Sequence, residues 1–255
     1  MSRVNLRSAR DPKTWWFFGA FVLAVALGYF VGRWVIGEIR EGRLPNWFSA
    51  HESIVLETGE RTFIAIHGDE PWHGSADALV TIIVFADFEC PACAEAFLPL
   101  KDAMERHYDS VRVIFKHYPL PRHDRALPAA YAAWAAHQQT KFWPAAEALF
   151  ERAGNLDDLP KLIHLMGLDG PQFWQDIRSE RGREAIDRDQ LAGGMAQVRG
   201  TPTFFVNGHR YLRQWDRETW DAVIQHETKA AHDLLDQGIA ADQIYKKLTK
   251  KDPTP

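Results

Sequence analysis

The sequence predicts an α/β domain: a βαβ half and a ββα half, an all-helical insertion between them, and one apolar helix ahead of both. Three observations predict it. Residues 79–87, LVTIIVFAD, are a continuous β-branched and aromatic run, the pattern of a strand buried on both faces. Cys90 and Cys93, the only two cysteines in 255 residues, follow that strand where a helical pattern begins. TFFVNGHRYLR is a hairpin around Asn207-Gly208, a strong short-range turn signal.

The other elements follow in order. RTFIAI (61–66) reads as a short strand and HGDEPWHGSADA as turns. CAEAFLPLKDAMERHY places Ala94, Phe97, Leu98 and Met104 at near-helical spacing, with Pro99 expected to kink the helix. VRVIFKHY (111–118) is a second buried strand. Residues 126–199 read as five helices, ALPAAYAAWAAHQ, KFWPAAEALFERA, LDDLPKLIHLMG, GPQFWQDIRS and REAIDRDQLAGGMAQVR. DRETWDAVIQHE is a helix with Asp216 as N-cap. Residues 230–250 continue as an amphipathic helix whose basic end, Lys246, Lys247, Lys250 and Lys251, suits a helix C-terminus.

Composition bounds the function. Apolar residues make up 46% and charged residues 25%, the balance of a chain with a buried core. A net charge of −4, with no basic stripe interleaved with aromatics, argues against nucleic-acid binding. Residues 15–32 run eighteen positions without a charge, about 27 Å of helix against a hydrocarbon core of ~30 Å. Trp15, Trp16 and Trp34 stand where an interfacial aromatic belt belongs. Residues 15–37 therefore read as a transmembrane anchor. Residues 1–14, with Arg3, Arg7, Arg10 and Lys13 against Asp11, form a basic segment that stays cytoplasmic by the positive-inside rule. A cleaved signal peptide is the competing reading, but AVA at 24–26 sits inside the apolar run. Either way the main domain is exported to a compartment where disulfides persist. Residues 38–59 form a linker, 60–229 the α/β domain with its insertion at about 126–199, and 230–255 a C-terminal helix and tail.

Two thiols this close admit four readings. A structural disulfide would close a tiny loop and remove little unfolded-state entropy. A zinc site needs four ligands, and His107, His117 and His123 are not at finger spacing. Two inert buried thiols are the third. The fourth is a redox pair. Cys90 at a helix N-terminus is placed for a depressed pKa, Pro91 fits the first turn, and Cys93 can resolve a mixed disulfide at Cys90. This last reading accounts for the spacing. No metal or other cofactor is expected beyond the Cys90–Cys93 redox disulfide itself.

VTIIVFADFECPACAEAF, VRVIFKHYPLP, LPAAYAAWAAHQQTKFW and GTPTFFVNG together resemble the DsbA-like thiol–disulfide oxidoreductases, thioredoxin-like in fold, in their membrane-anchored branch. The resemblance covers about residues 60–228. It implies a protein dithiol–disulfide oxidoreductase in which Cys90 and Cys93 are catalytic and Pro91 and Ala92 support them. It implies that Thr201 and Pro202 form a cis-proline loop that binds an extended substrate peptide beside Cys90. The sequence departs from the family twice. Ala92 stands where strongly oxidising members have histidine, and Val84 where many have a proton-relaying acid; nearby Asp87 is then the supporting residue that would relay protons through water, while Glu89 reads rather as a solvated helix-start charge. The implied protein is anchored in the inner membrane with its main domain periplasmic or extracellular, and introduces disulfides into reduced secreted proteins. A DsbB-like quinone-linked membrane partner would reoxidise it. The alternatives are a reductase or isomerase, and a non-catalytic peptide-binding chaperone.

Overall fold

A computed structural model describes residues 60–211 and 215–250. The apolar segment, its basic flank, the linker and the last five residues lie outside the described residues. Among the described residues no helix is long and apolar enough to cross a membrane.

Strand β2 (Val80–Ala86) is buried at every position, as its unbroken apolar run requires. It pairs in parallel with β3 (Val111–His117), with Val84 beside Phe115 and Ala86 beside His117. On its other edge it pairs antiparallel with β4 (Thr203–Val206), which turns through Asn207 and Gly208 into β5 (His209–Tyr211). Strand β1 (Trp72–Gly74) closes the far edge against β3, giving the order β1-β3-β2-β4-β5. Asn207 and Gly208 have φ of 44° and 86°, the left-handed pair that a two-residue hairpin needs. The Asn207 side chain also accepts from the Thr81 amide at 2.8 Å and donates to the Leu79 carbonyl at 3.1 Å, which pins the hairpin to β2.

Helix α1 (Pro91–Arg106) follows β2 and lays Phe97, Leu100 and Met104 on the sheet face formed by Val80, Ile82, Val84, Val113 and Phe115. It passes Pro99 unbroken, and Glu95, whose carbonyl loses its usual donor there, is exposed to solvent. The insertion is five helices: α2 (Ala126–His137), α3 (Phe142–Glu151), α4 (Leu159–Leu165), α5 (Gly170–Asp176) and α6 (Glu180–Met195). Their alanines, Phe142, Leu149 and Phe150 extend the same core. Helix α7 (Arg217–Leu235) begins at Asp216, whose side chain accepts from the Thr219 amide, and buries Trp220, Val223 and Ile224 there. The opposite face packs Ile83, Phe85, Ile114 and Phe205 against Ile64, Val198 and Tyr245.

Two sequence expectations fail. Residues 61–66 are not a strand. The Thr62 amide donates to Gly208 O at 2.8 Å, and Ile64 exchanges both main-chain hydrogen bonds with the Tyr245 hydroxyl, so its polar groups are satisfied outside any ladder. The first strand among the described residues, β1, lies in the stretch read as turns. The chain from 230 to 250 is not one helix either. Helix α7 runs through residue 229, and Gly238 at φ 83° closes it, with Gly238 N on Leu235 O and Ile239 N on Leu234 O. A 3-10 turn (Ala241–Gln243) then leads into the short α8 (Ile244–Thr249).

Candidate active site

The site begins where β2 ends. The Asp87 carbonyl accepts from the Cys90 amide at 3.1 Å, and its carboxylate accepts from the Glu89 amide at 2.8 Å. These two bonds curl residues 87–90 into a turn that delivers Cys90 as the N-cap of α1 in an extended conformation. Pro91 takes the first helical position, where no amide hydrogen is needed. Cys90 O accepts from Cys93 N at 3.0 Å and from Ala94 N at 3.2 Å, so both thiols sit on the first turn. Cys90 is 5% exposed and Cys93 2%.

The two sulfurs are electrostatically unequal. Cys90 is pulled down to about 5: the Cys93 thiol donates to it, Thr201 adds a bond, and the amides of Cys93 and Ala92 at the helix start point at it. These outweigh its burial, which pushes the other way. Burial pushes Cys93 strongly up, and its role as donor to Cys90 pushes it further. The main-chain N–H of Asp87 faces the Cys93 sulfur and partly opposes that rise. One thiol is therefore a ready nucleophile and leaving group, the other a protonated reserve.

Thr201 and Pro202 meet the cysteines from the loop that enters β4. The Thr201-Pro202 bond is cis, and the Cys90 thiol donates to Thr201 O at 3.3 Å. The Thr201 hydroxyl is buried with no other hydrogen-bond partner. It is left for the Cys90 sulfur once that sulfur is a thiolate and can only accept. Ala92 is exposed on the helix start, and Val84 is buried beneath, between Phe115 and Phe204 in the sheet. Asp87 does not reach solvent. Its second oxygen accepts from Leu120 N at 2.9 Å and from His123 Nδ1 at 2.7 Å. Glu89 is tied to Arg125, accepting from its amide at 2.6 Å. Sequence reasoning weighed His123 only as a zinc ligand and missed that the 120–125 loop binds the redox turn. His117, on the same face of the sheet, is buried with neither ring nitrogen bonded and is pushed down to about 3 by that burial. Among the described residues no cluster of side chains could hold a metal ion.

A helix-capping dithiol on an α/β sheet, faced by a cis-proline loop, defines a thiol–disulfide exchange scaffold. A thioredoxin family model matches residues 67–226, and the chain belongs to that family. Its solved structural neighbours include DsbA proteins. The α-DsbA1 of Wolbachia pipientis superposes with a TM-score of 0.59 at 20% identity, covering 68% of this chain and 97% of that one. BdbD of Bacillus subtilis gives 0.56 at 19%, covering 67% and 100%. The curated relatives include the Na(+)/H(+) antiporter NhaA 1 of Mycolicibacterium vanbaalenii, 32% identical over 201 residues, 76% of this chain and 31% of that protein. NhaA 3 of Salinispora tropica is 36% identical over 154 residues, 59% of this chain and 24% of that protein. The chain spans about a third or less of the length of these antiporters.

Proposed function

We propose that the protein is a membrane-tethered dithiol oxidase that introduces disulfides into reduced proteins outside the cytoplasm. The observation that carries this reading is the asymmetry of the pair. A Cys90 thiolate stable near pH 5 beside a protonated Cys93 stabilises the reduced form, and a stable reduced form makes the disulfide an oxidant. In the forward step a substrate thiolate attacks the Cys90 sulfur. A Cys90–substrate bond forms, the Cys90–Cys93 bond breaks, and the electron pair leaves on Cys93, which takes a proton. The substrate's second thiolate then attacks its own sulfur in the mixed disulfide and expels the Cys90 thiolate. Two electrons pass to the protein and a disulfide stays on the substrate. Thr201 O, 3.3 Å from Cys90, is the main-chain acceptor that an extended substrate would meet there. A quinone-linked membrane protein of the DsbB kind is the proposed reoxidant. The apolar segment at residues 15–37 supports the tether. Antiport is the function named for the relatives, and is not proposed for this chain.

The test is the equilibrium of the full-length protein with reduced and oxidised glutathione. A potential of about −120 mV, with stoichiometric oxidation of a reduced two-cysteine peptide, is the expected result. A potential of about −270 mV would make the protein a reductant. A pair that forms no mixed disulfide with the peptide would leave only a binding module.

A further inference from the structure

The redox turn is stitched to a distant loop. Asp87 and Glu89 flank the approach to Cys90, and both carboxylates are engaged by the segment between β3 and α2, at Leu120, His123 and Arg125. Asp87 is the inner of the two, with a side chain 0% exposed. Its oxygens are met by three donors: the amides of Glu89 and Leu120, and Nδ1 of His123. Two of these are main chain. His123 is the side chain among them, and the 2.7 Å approach to a carboxylate places its proton on Nδ1. Its own side chain is 16% exposed, so the ring bridges the buried acid to the surface. The main chain of the same Asp87 bears on the pair twice: its carbonyl accepts from the Cys90 amide at 3.1 Å, and its N–H, on the side of the Cys93 sulfur, opposes the rise that burial gives that thiol.

We propose that His123 is a positioning residue for the resolving cysteine: by holding the Asp87 carboxylate it keeps the Asp87 amide on the Cys93 sulfur while the disulfide closes. This rests on the dithiol-exchange reading of the site and adds how its slow thiol is made reactive. In closure, Cys93 gives its proton to a solvent base and its sulfur attacks the Cys90 sulfur of a mixed disulfide. The Cys90–Cys93 bond forms, the Cys90–partner bond breaks, and the electron pair leaves on the partner thiolate. The charge on the Cys93 sulfur is greatest before the new bond forms, so a fixed amide donor lowers the cost of that step. Losing the His123 bond leaves a buried carboxylate one donor short, and a buried acceptor so deprived rearranges its neighbours. The Asp87 main chain is the neighbour attached to it.

The two steps separate in the reaction of the reduced full-length protein with 5,5′-dithiobis(2-nitrobenzoate). The first thionitrobenzoate is released when Cys90 attacks, and the second when Cys93 closes the ring. His123→Ala is expected to slow the second release about tenfold, the loss of one charge-assisted hydrogen bond, and to leave the first unchanged. The pH at which the second rate is half-maximal should rise. His123→Asn keeps an amide donor where Nδ1 stands and should restore the rate, whereas His123→Gln places its amide beyond that point and should not. The Asn and Gln pair decides the matter if the Ala protein does not fold. A second release in His123→Ala within twofold of the parent overturns the inference, as does equal slowing of both releases alongside a lower melting temperature. A parent protein that releases no thionitrobenzoate by ring closure fails the dithiol-exchange reading itself.

Discussion

At the residue scale the candidate site turns on one thiol. Free cysteine titrates at ~8.5, and Cys90 in the fold at about 5. Between those values the unfolded chain holds a proton that the folded chain has released, so the stability of the reduced protein rises with pH across that window. The contribution is complete above the unfolded value and is lost as pH falls through 5. The reduced parent and Cys90→Ser should therefore diverge in denaturation midpoint between pH 5 and pH ~8.5, the parent gaining. Iodoacetamide should modify Cys90 with an inflection near pH 5 and leave Cys93 untouched in the native state. Parallel midpoints, or first modification at Cys93, would refute the asymmetry. Of the site, Cys90, Cys93, Thr201 and Pro202 were readable from the sequence, because a cysteine pair and a Thr-Pro before a strand carry their chemistry in adjacent residues. His123 was not, because its meaning depends on an acid 36 positions earlier in the chain.

At the scale of elements, α6 matters to the site without touching it. Gly193 lies against the ring of Tyr118, and a Cβ there would stand 2.4 Å from Tyr118 Cε2. The Tyr118 hydroxyl donates to Val198 O at 3.2 Å, three residues before Thr201. Gly193→Ala must displace that ring or the helix, since the core on this side is closed by Phe85. We expect a loss of roughly 1–3 kcal/mol, measured by denaturant melts. Substrate exchange should slow beyond what stability explains, because the loop bearing Thr201 is anchored through Tyr118. A Gly193→Ala protein as stable as the parent would mean that the ring moves freely. The elements themselves were legible where their signal is local. Strand β2 announces itself by seven buried residues, and the hairpin by Asn207-Gly208. Strand β1 did not, since three residues show no alternation. Residues 61–66 misled because they have strand composition, while the main-chain hydrogen bonds of Ile64 go to a tyrosine 181 positions away.

At the scale of the whole molecule, the insertion is joined to the sheet by charge as well as by apolar packing. Lys116 of β3 is fully buried, 2.5 Å from Glu70 and 3.0 Å from Asp189 of α6. Two carboxylates share one ammonium. Burial pushes Asp189 up to about 6, while Lys116 and neighbouring amides hold Glu70 below its usual range even though its burial acts the other way. The folded protein thus binds a proton at Asp189 that the unfolded chain, titrating at ~3.9, has lost, and this group's contribution falls as pH rises from about 4 to 6. Asp189→Asn should flatten that segment of the stability profile while still accepting the His117 amide through its side-chain oxygen. Lys116→Met should cost about 3–5 kcal/mol at pH 7, less in acid where the stranded carboxylates are protonated. Unchanged slopes in Asp189→Asn would show that the proton sits elsewhere. The hydroxyl of Tyr245, which both accepts from Ile64 N and donates to Ile64 O, ties α8 to the start of the described chain. Gly208, wedged against Thr62 and Thr249, brings the hairpin into the same knot. A pull on the chain from the side of residue 60 is therefore taken first by this clasp, far along the sequence from the thiols. The knot works as a strain relief: load arriving from that side is borne by the edge of the sheet and α8, away from the dithiol.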